Sequence, residues 1–135
     1  MSEKNIQIVQ SIYAAFGRGD VPAVMEHISD ELRHFGIVSE LADVPWHLQI
    51  TKKKDVPLFF MAVAESLEFT RFEPREFAAT GEHVYCTVGG EATMKKNGKK
   101  RAFEHEMHHF TLQNGRVVEW RCALDTAKEH KVLFG

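Results

Sequence analysis

The hydrophobic positions change period about halfway along the chain. Val9, Ile12, Tyr13 and Phe16 recur at i, i+3, i+4 and i+7, which is one face of a helix. The run Gly17 to Asp20 closes that helix, and Asp20 stands where it can cap a second. Val21, Val24, Met25 and Ile28 repeat the spacing. A third helix opens at Asp55 to Pro57 with the same three residues, Asp-Val-Pro, that open the second at Asp20 to Pro22. Proline is tolerated there because a first-turn N–H has no helical partner to lose. Val56, Phe59, Phe60 and Val63 form this helix's buried face. From Leu67 the period falls to two. Leu67 to Thr80, Val84 to Lys95, Ala102 to Leu112 and Arg116 to Thr126 read as strands, with Pro74 at a bulge or edge and a bend at Gly89-Gly90. Asn97-Gly98 and Asn114-Gly115 are hairpin signals that tie the last three strands into an antiparallel meander. Helices first and a curved antiparallel sheet second predict an α+β fold over residues 1–135, as a single domain.

The turns fix an expected register. If both Asn-Gly pairs are two-residue loops, Lys96 faces Lys99 and Gln113 faces Arg116. One sheet face then carries Val84, Cys86, Val88, Ala92 and Met94 beside Phe103, His105, Met107 and His109. Val118, Trp120, Cys122, Leu124 and Thr126 complete it. This is the more apolar face and is expected to meet the helices. Tyr85, Glu91, Glu104, Glu106, His108, Phe110, Glu119, Arg121 and Asp125 fall on the other. A slip of one residue would exchange the two sets.

That register shapes the reading of "EHEMHH", Glu104 to His109, where three histidines and two glutamates crowd six positions. His105 and His109 share a face but lie about 13 Å apart at roughly 3.3 Å per residue. One zinc ion, with ligands about 2 Å away, cannot span that gap, so no metal is expected. Glu91, Glu104 and Asp125 line up on the polar face, where mutual repulsion implies solvation or a balancing partner. Cys86 and Cys122 share the apolar face two strands apart, roughly 9–10 Å, beyond disulfide reach. They read as small buried apolar residues.

Composition narrows the function classes. A formal net charge of -2 argues against nucleic-acid binding, which needs concentrated positive charge. The basic run Met94 to Arg101 reads as a solvated hairpin tip. No apolar stretch is long enough to cross a membrane, and the N-terminus has no signal-peptide pattern. With two cysteines and no sign of export, a reduced cytoplasmic protein is expected.

The order of elements, with "VQSIYAAFGRGDVPAVMEHI" (Val9 to Ile28) and "GRVVEWRCALDTAKEH" (Gly115 to His130), resembles the SnoaL-like polyketide cyclases. These belong to the ketosteroid isomerase and nuclear transport factor 2-like superfamily. The resemblance runs from about Ile6 to Lys128 and implies a cone-shaped barrel, its curved sheet wrapped around three N-terminal helices. It is similar to limonene epoxide hydrolases at "WRCALD", where Trp120, Arg121 and Asp125 match. Cys122, however, stands at their catalytic acidic position. Met107 stands where ketosteroid isomerases place an acidic oxyanion-stabilising residue, and His34 to Gly36 offers no carboxylate for their base. The resemblance therefore implies neither steroid isomerisation nor epoxide hydrolysis. Function stays open within the fold, because this superfamily hosts enzymes and binders alike.

The expected pocket lies between the apolar sheet face and the helices. Trp120, Met107, Leu124, Val88 and Phe59 line it, Tyr13, His34 and Trp46 close it, and His105, His109 and Cys122 are its polar members. Such a cavity suits a small hydrophobic molecule. The leading expectation is acid–base chemistry without a cofactor on a carbonyl compound, with His109, or else His105, moving the proton. The structural alternative is a buried histidine bonded to Tyr13 or to backbone. The functional alternative is a non-catalytic ligand-binding or dimerisation module. His108, opposite Arg121, and Asp125 are expected outside the cavity. A homodimer is expected through the outer face, around Phe110 and Tyr85.

Overall fold

The computed structural model describes residues 2–135. Its elements are α1 (Ser2–Gly17), α2 (Val21–Met25), β1 (His34–Ile37), β2 (Gln49–Ile50), α3 (Val56–Ser66), β3 (Leu67–Thr80), β4 (His83–Met94), β5 (Lys100–Gln113), β6 (Arg116–Ala123) and α4 (Thr126–Phe134). Helix α1 buries Val9, Ile12 and Ala15, and α3 buries Val56, Phe59 and Val63, each against the sheet's inner face. Asp20 caps α2 as expected, accepting from Ala23 N at 3.1 Å. That helix is only one turn long, and Ile28 leaves it to bridge to Val117.

The strands run in the order β2-β1-β6-β5-β4-β3 in one curved, open sheet. It is α+β as expected, but not wholly antiparallel: β1 lies parallel to β6, pairing Phe35 with Trp120 and Ile37 with Cys122. The short strands β1 and β2 and the C-terminal helix α4 were absent from the expected pattern. Asp125 caps α4, accepting from Lys128 N at 3.0 Å.

The expected register fails on β5. Asn114-Gly115 forms the two-residue loop, both residues at positive φ and Gln113 opposite Arg116. Asn97-Gly98 does not. Met94 N donates to Lys99 O, so the loop spans Lys95 to Gly98, and Asn97 uses its amide to hold Val132 O and Leu133 O at the end of α4.

Two bulges then displace the pairing. On β5, Gly90 faces Phe103 while Val88 faces Glu106, so one extra residue is inserted. On β6, Val118 is the extra residue, and both it and Val117 are buried. Glu104 and His105 consequently both point outward. Arg71 and Arg75 grip Glu104 at 2.6 and 2.7 Å, and Gly89-Gly90 leave room for Arg75 and the Phe103 ring where any side chain would collide. Past the bulge every remaining inward position of β5 moves by one residue: Glu106, His108, Phe110 and Leu112 face in. The inward set of β4 stands as expected; on β6 Trp120 and Cys122 do, while Val117 rather than the bulged Val118 joins the main core and Thr126 opens α4.

Candidate functional site

Helices α1 and α3, the inner sheet face, Trp46 from the β1–β2 connection and Glu129 of α4 enclose a cavity of about 90 Å³. Much of its wall is aromatic, with Phe16, Phe35, Phe59, Phe60, Phe110 and Trp120 contributing. Trp120 is held by neighbours on several elements, its ring 4.7 Å from Phe35, 5.4 Å from Phe59 and 5.3 Å from His108 between centroids.

One part of this wall is polar and buried. Tyr13 Oη lies 2.5 Å from His108 Nδ1 and 3.4 Å from Cys86 Sγ. His108 Nε2 faces Glu106 Oε1 at 3.5 Å, and Cys122 Sγ donates towards the same oxygen at 3.7 Å. Arg101 Nη1 donates to Glu106 Oε2 at 3.1 Å and lies 3.5 Å from Glu129 Oε2. Glu129 also accepts from Trp46 Nε1 at 2.9 Å and pairs with His47 Nε2, whose Nδ1 is bonded to Ser39 Oγ. His108 is 3% exposed and Glu106 8%. Charged side chains are rarely buried so deeply unless paired, and these are paired in sequence from Tyr13 to Ser39.

Burial dominates the ionisation of the weaker acids here. It pushes the Cys86 thiol up to about 11 and the Tyr13 phenol well above 10. It raises the Cys122 thiol likewise, and the negative charges of Glu106 and Glu129 add to the effect. Tyr13, Cys86 and Cys122 therefore hold their protons at neutral pH.

Of the expected pocket residues, Tyr13, Trp46, Phe59, Trp120, Cys122 and Leu124 do line the cavity. Val88 is fully buried but packs with Cys86 and Phe103 in a separate small cluster. His34, Met107, His105 and His109 are not part of the wall. His34 sits at the start of β1 beside Arg121 and Glu119, where burial and then Arg121 hold its pKa below 6.5. Met107 is 47% exposed and His105 is exposed. His109 stacks on Tyr85 outside and lies 2.9 Å from His83. The bulge at Glu104-His105 is the reason: it turns over the segment that was expected to present His105, Met107 and His109. Phe110, expected outside at a dimer contact, lines the cavity instead.

The cavity's polar members Glu106, His108, Arg101 and Glu129 were not expected there. Two adjacent polar residues, Glu104 and His105, breaking the alternation of β5 were the available sign for the first two. Asp125, three residues ahead of Lys128, was the sign of a helix that could bring in Glu129. Cys86 and Cys122 are both free and buried, as expected.

Ligand atoms of Glu106, His108 and Cys122 lie within 4.8 Å of one another, so three donors could in principle converge on a cation. Two features oppose that use. Arg101 places a fixed positive charge against Glu106, and Tyr13 already occupies Nδ1 of His108. The arrangement suits holding and passing a proton better than holding a metal.

The sequence matches the SnoaL-like domain over residues 9–120. No curated protein matches it. Solved structures do. A nuclear transport factor 2-like protein of unknown function from Burkholderia pseudomallei is 24% identical, with both chains fully covered and a TM-score of 0.88. TerC, co-crystallised with polyporic acid, is 18% identical over 98% of this chain and 99% of its own, with a TM-score of 0.85. An LEH-like epoxide hydrolase of Mycobacterium tuberculosis is 17% identical over 98% of this chain and 90% of its own, with a TM-score of 0.74. At these identities the likeness is one of fold, in agreement with the cone-like curved sheet. With the family match covering most of its length, the chain belongs to the SnoaL-like domain family.

Proposed function

We propose that this protein is an enzyme of cyclase or isomerase type that moves a proton next to the carbonyl of a small hydrophobic compound, without a cofactor. The observation that carries the reading is the buried chain Tyr13–His108–Glu106 set into a largely apolar cavity. His108 is the proton carrier in place of the outward His109. Tyr13 holds one ring nitrogen, Glu106 faces the other, and Arg101 fixes the carboxylate from behind. An imidazole between a phenol and a carboxylate can pass a proton either way, and water exclusion strengthens each of those contacts. TerC, of like fold, was co-crystallised with polyporic acid, which supports a small organic ligand for this cavity.

Deuterium uptake at the methyl group of acetophenone in D2O tests the reading without knowledge of the natural substrate. Exchange faster than in buffer is expected, falling about a hundredfold or more in His108→Gln and in Glu106→Gln. Exchange at the buffer rate would sink it.

The second reading is a non-catalytic binding module. It is favoured by Cys122, a neutral thiol at the position where the resembling epoxide hydrolases place an acid. Under it, acetophenone binds in the cavity and no exchange is accelerated.

A further inference from the structure

Among the described residues, three buried side-chain nitrogens lack a hydrogen-bond partner: His34 Nε2, Arg101 Nε and Trp120 Nε1. The last two belong to residues lining the cavity, and both atoms can only donate. Leaving a buried donor unmet is costly, and native proteins rarely do so without a functional reason. The contrast with their surroundings is sharp. Tyr13, His108, Glu106, Glu129, His47 and Trp46 all have partners. Arg101 spends Nη1 on two carboxylates while its Nε meets none. The aromatic faces around Trp120 accept an N–H only weakly.

We propose that Trp120 Nε1 and Arg101 Nε are the recognition donors of this cavity. The ligand they select is a flat hydrophobic compound carrying a neutral carbonyl oxygen, a ketone or quinone type. A carboxylate is the poorer match. Two carboxylates already share one guanidinium here, and a third anion would add uncompensated negative charge in an apolar enclosure. The placement also fits the chemistry. The Trp120 and His108 rings lie 5.3 Å apart between centroids, so an oxygen held by Trp120 is within reach of the proton carrier's surroundings. The inference rests on the proposed function only in taking this cavity as the ligand site.

The test compares two probes of nearly equal shape, acetophenone and α-methylstyrene, which differ in C=O against C=CH2. Dissociation constants are measured by NMR titration in the native protein, Trp120→Phe, Arg101→Lys and His109→Gln. Comparing the ketone-to-hydrocarbon ratio of affinities, the reciprocals of these constants, between variants cancels the difference in how water solvates the two probes. That ratio is expected to fall about five- to tenfold in Trp120→Phe, the worth of one ordinary hydrogen bond, and to fall also in Arg101→Lys. Phenylalanine keeps an aromatic wall and lysine keeps the charge facing Glu106 and Glu129. If one variant does not fold, the other decides. His109→Gln, on the outer face against Tyr85 and His83, keeps the ratio. An unchanged ratio in the folded donor variants overturns the proposal, whether or not the native protein exchanges protons.

Discussion

The two faces of β5 between Glu104 and Phe110 carry the same kinds of residue in opposite settings. Inside, His108 is clasped by Tyr13 and Glu106, and Glu106 by Arg101. Outside, His109 lies against His83 and Tyr85, and Met107 is open to solvent. Residue type therefore does not distinguish a site from a surface here. One inserted residue does, because it decides which histidine is sealed among partners and which is left among exposed side chains. Buried ion pairs are often no more stabilising than packed apolar residues of similar volume, so folding alone does not account for the inner set.

The largest expected effect follows from that difference. Glu106→Ala leaves Arg101 with only the 3.5 Å contact to Glu129 and leaves His108 facing a void. Removing one member of a buried pair costs about 3–5 kcal/mol. His109→Ala, on the outer face, should stay within about 1 kcal/mol. Urea unfolding of the two variants measures both. Equal costs would mean that the inner and outer faces of β5 are not as different as their geometry implies.

A smaller effect is expected where the site meets the C-terminal helix. Asp125→Ala removes the cap of α4 and should cost about 1 kcal/mol in urea unfolding. Because α4 carries both Glu129 and buried Leu133, the variant should also admit protease near its C-terminus sooner than the native protein. Undiminished stability would show that Asn97, gripping the far end of α4, holds the helix alone.

The helices α1 and α3, the four long strands, the apolar set of β4 and the Trp120 and Cys122 positions of β6 were legible, because periodic burial writes itself into residue spacing. Trp120, Cys122, Phe59 and Tyr13 were found that way. The polar half of the site was not. A bulge adds one residue without any obligatory sequence mark, and here it reassigns Glu106, His108 and Phe110 together. The first hairpin misled for a related reason: Asn97 is there to bond α4, a tertiary task that its local turn preference conceals. Arg101 and Glu129 looked like ordinary surface charges. Only the fold brings a β5 guanidinium and an α4 carboxylate into one buried contact.

The smallest effect is a pH dependence confined to the outer face. Burial, then His83 and Arg121, hold His109 below its ordinary 6.5. The unfolded chain then takes up that proton more readily than the folded one, so stability falls as pH drops through the region just below 6.5. Glu104 has the opposite sense. Arg71, then Arg75, hold it at about 2, against about 4.3 when unfolded. Its contribution is complete above the unfolded value and is lost as pH falls towards 2. Both groups are solvent-accessible, so each change is expected to be modest and to shrink in salt. Thermal unfolding at pH 7.5 and 5.5 should show a shallower loss in His109→Asn than in the native protein. Between pH 5 and 2 the shallower loss should instead belong to Glu104→Gln. If His109→Asn leaves the upper slope unchanged, the setting of His109 beside His83 and Arg121 does not hold its pKa below the ordinary value.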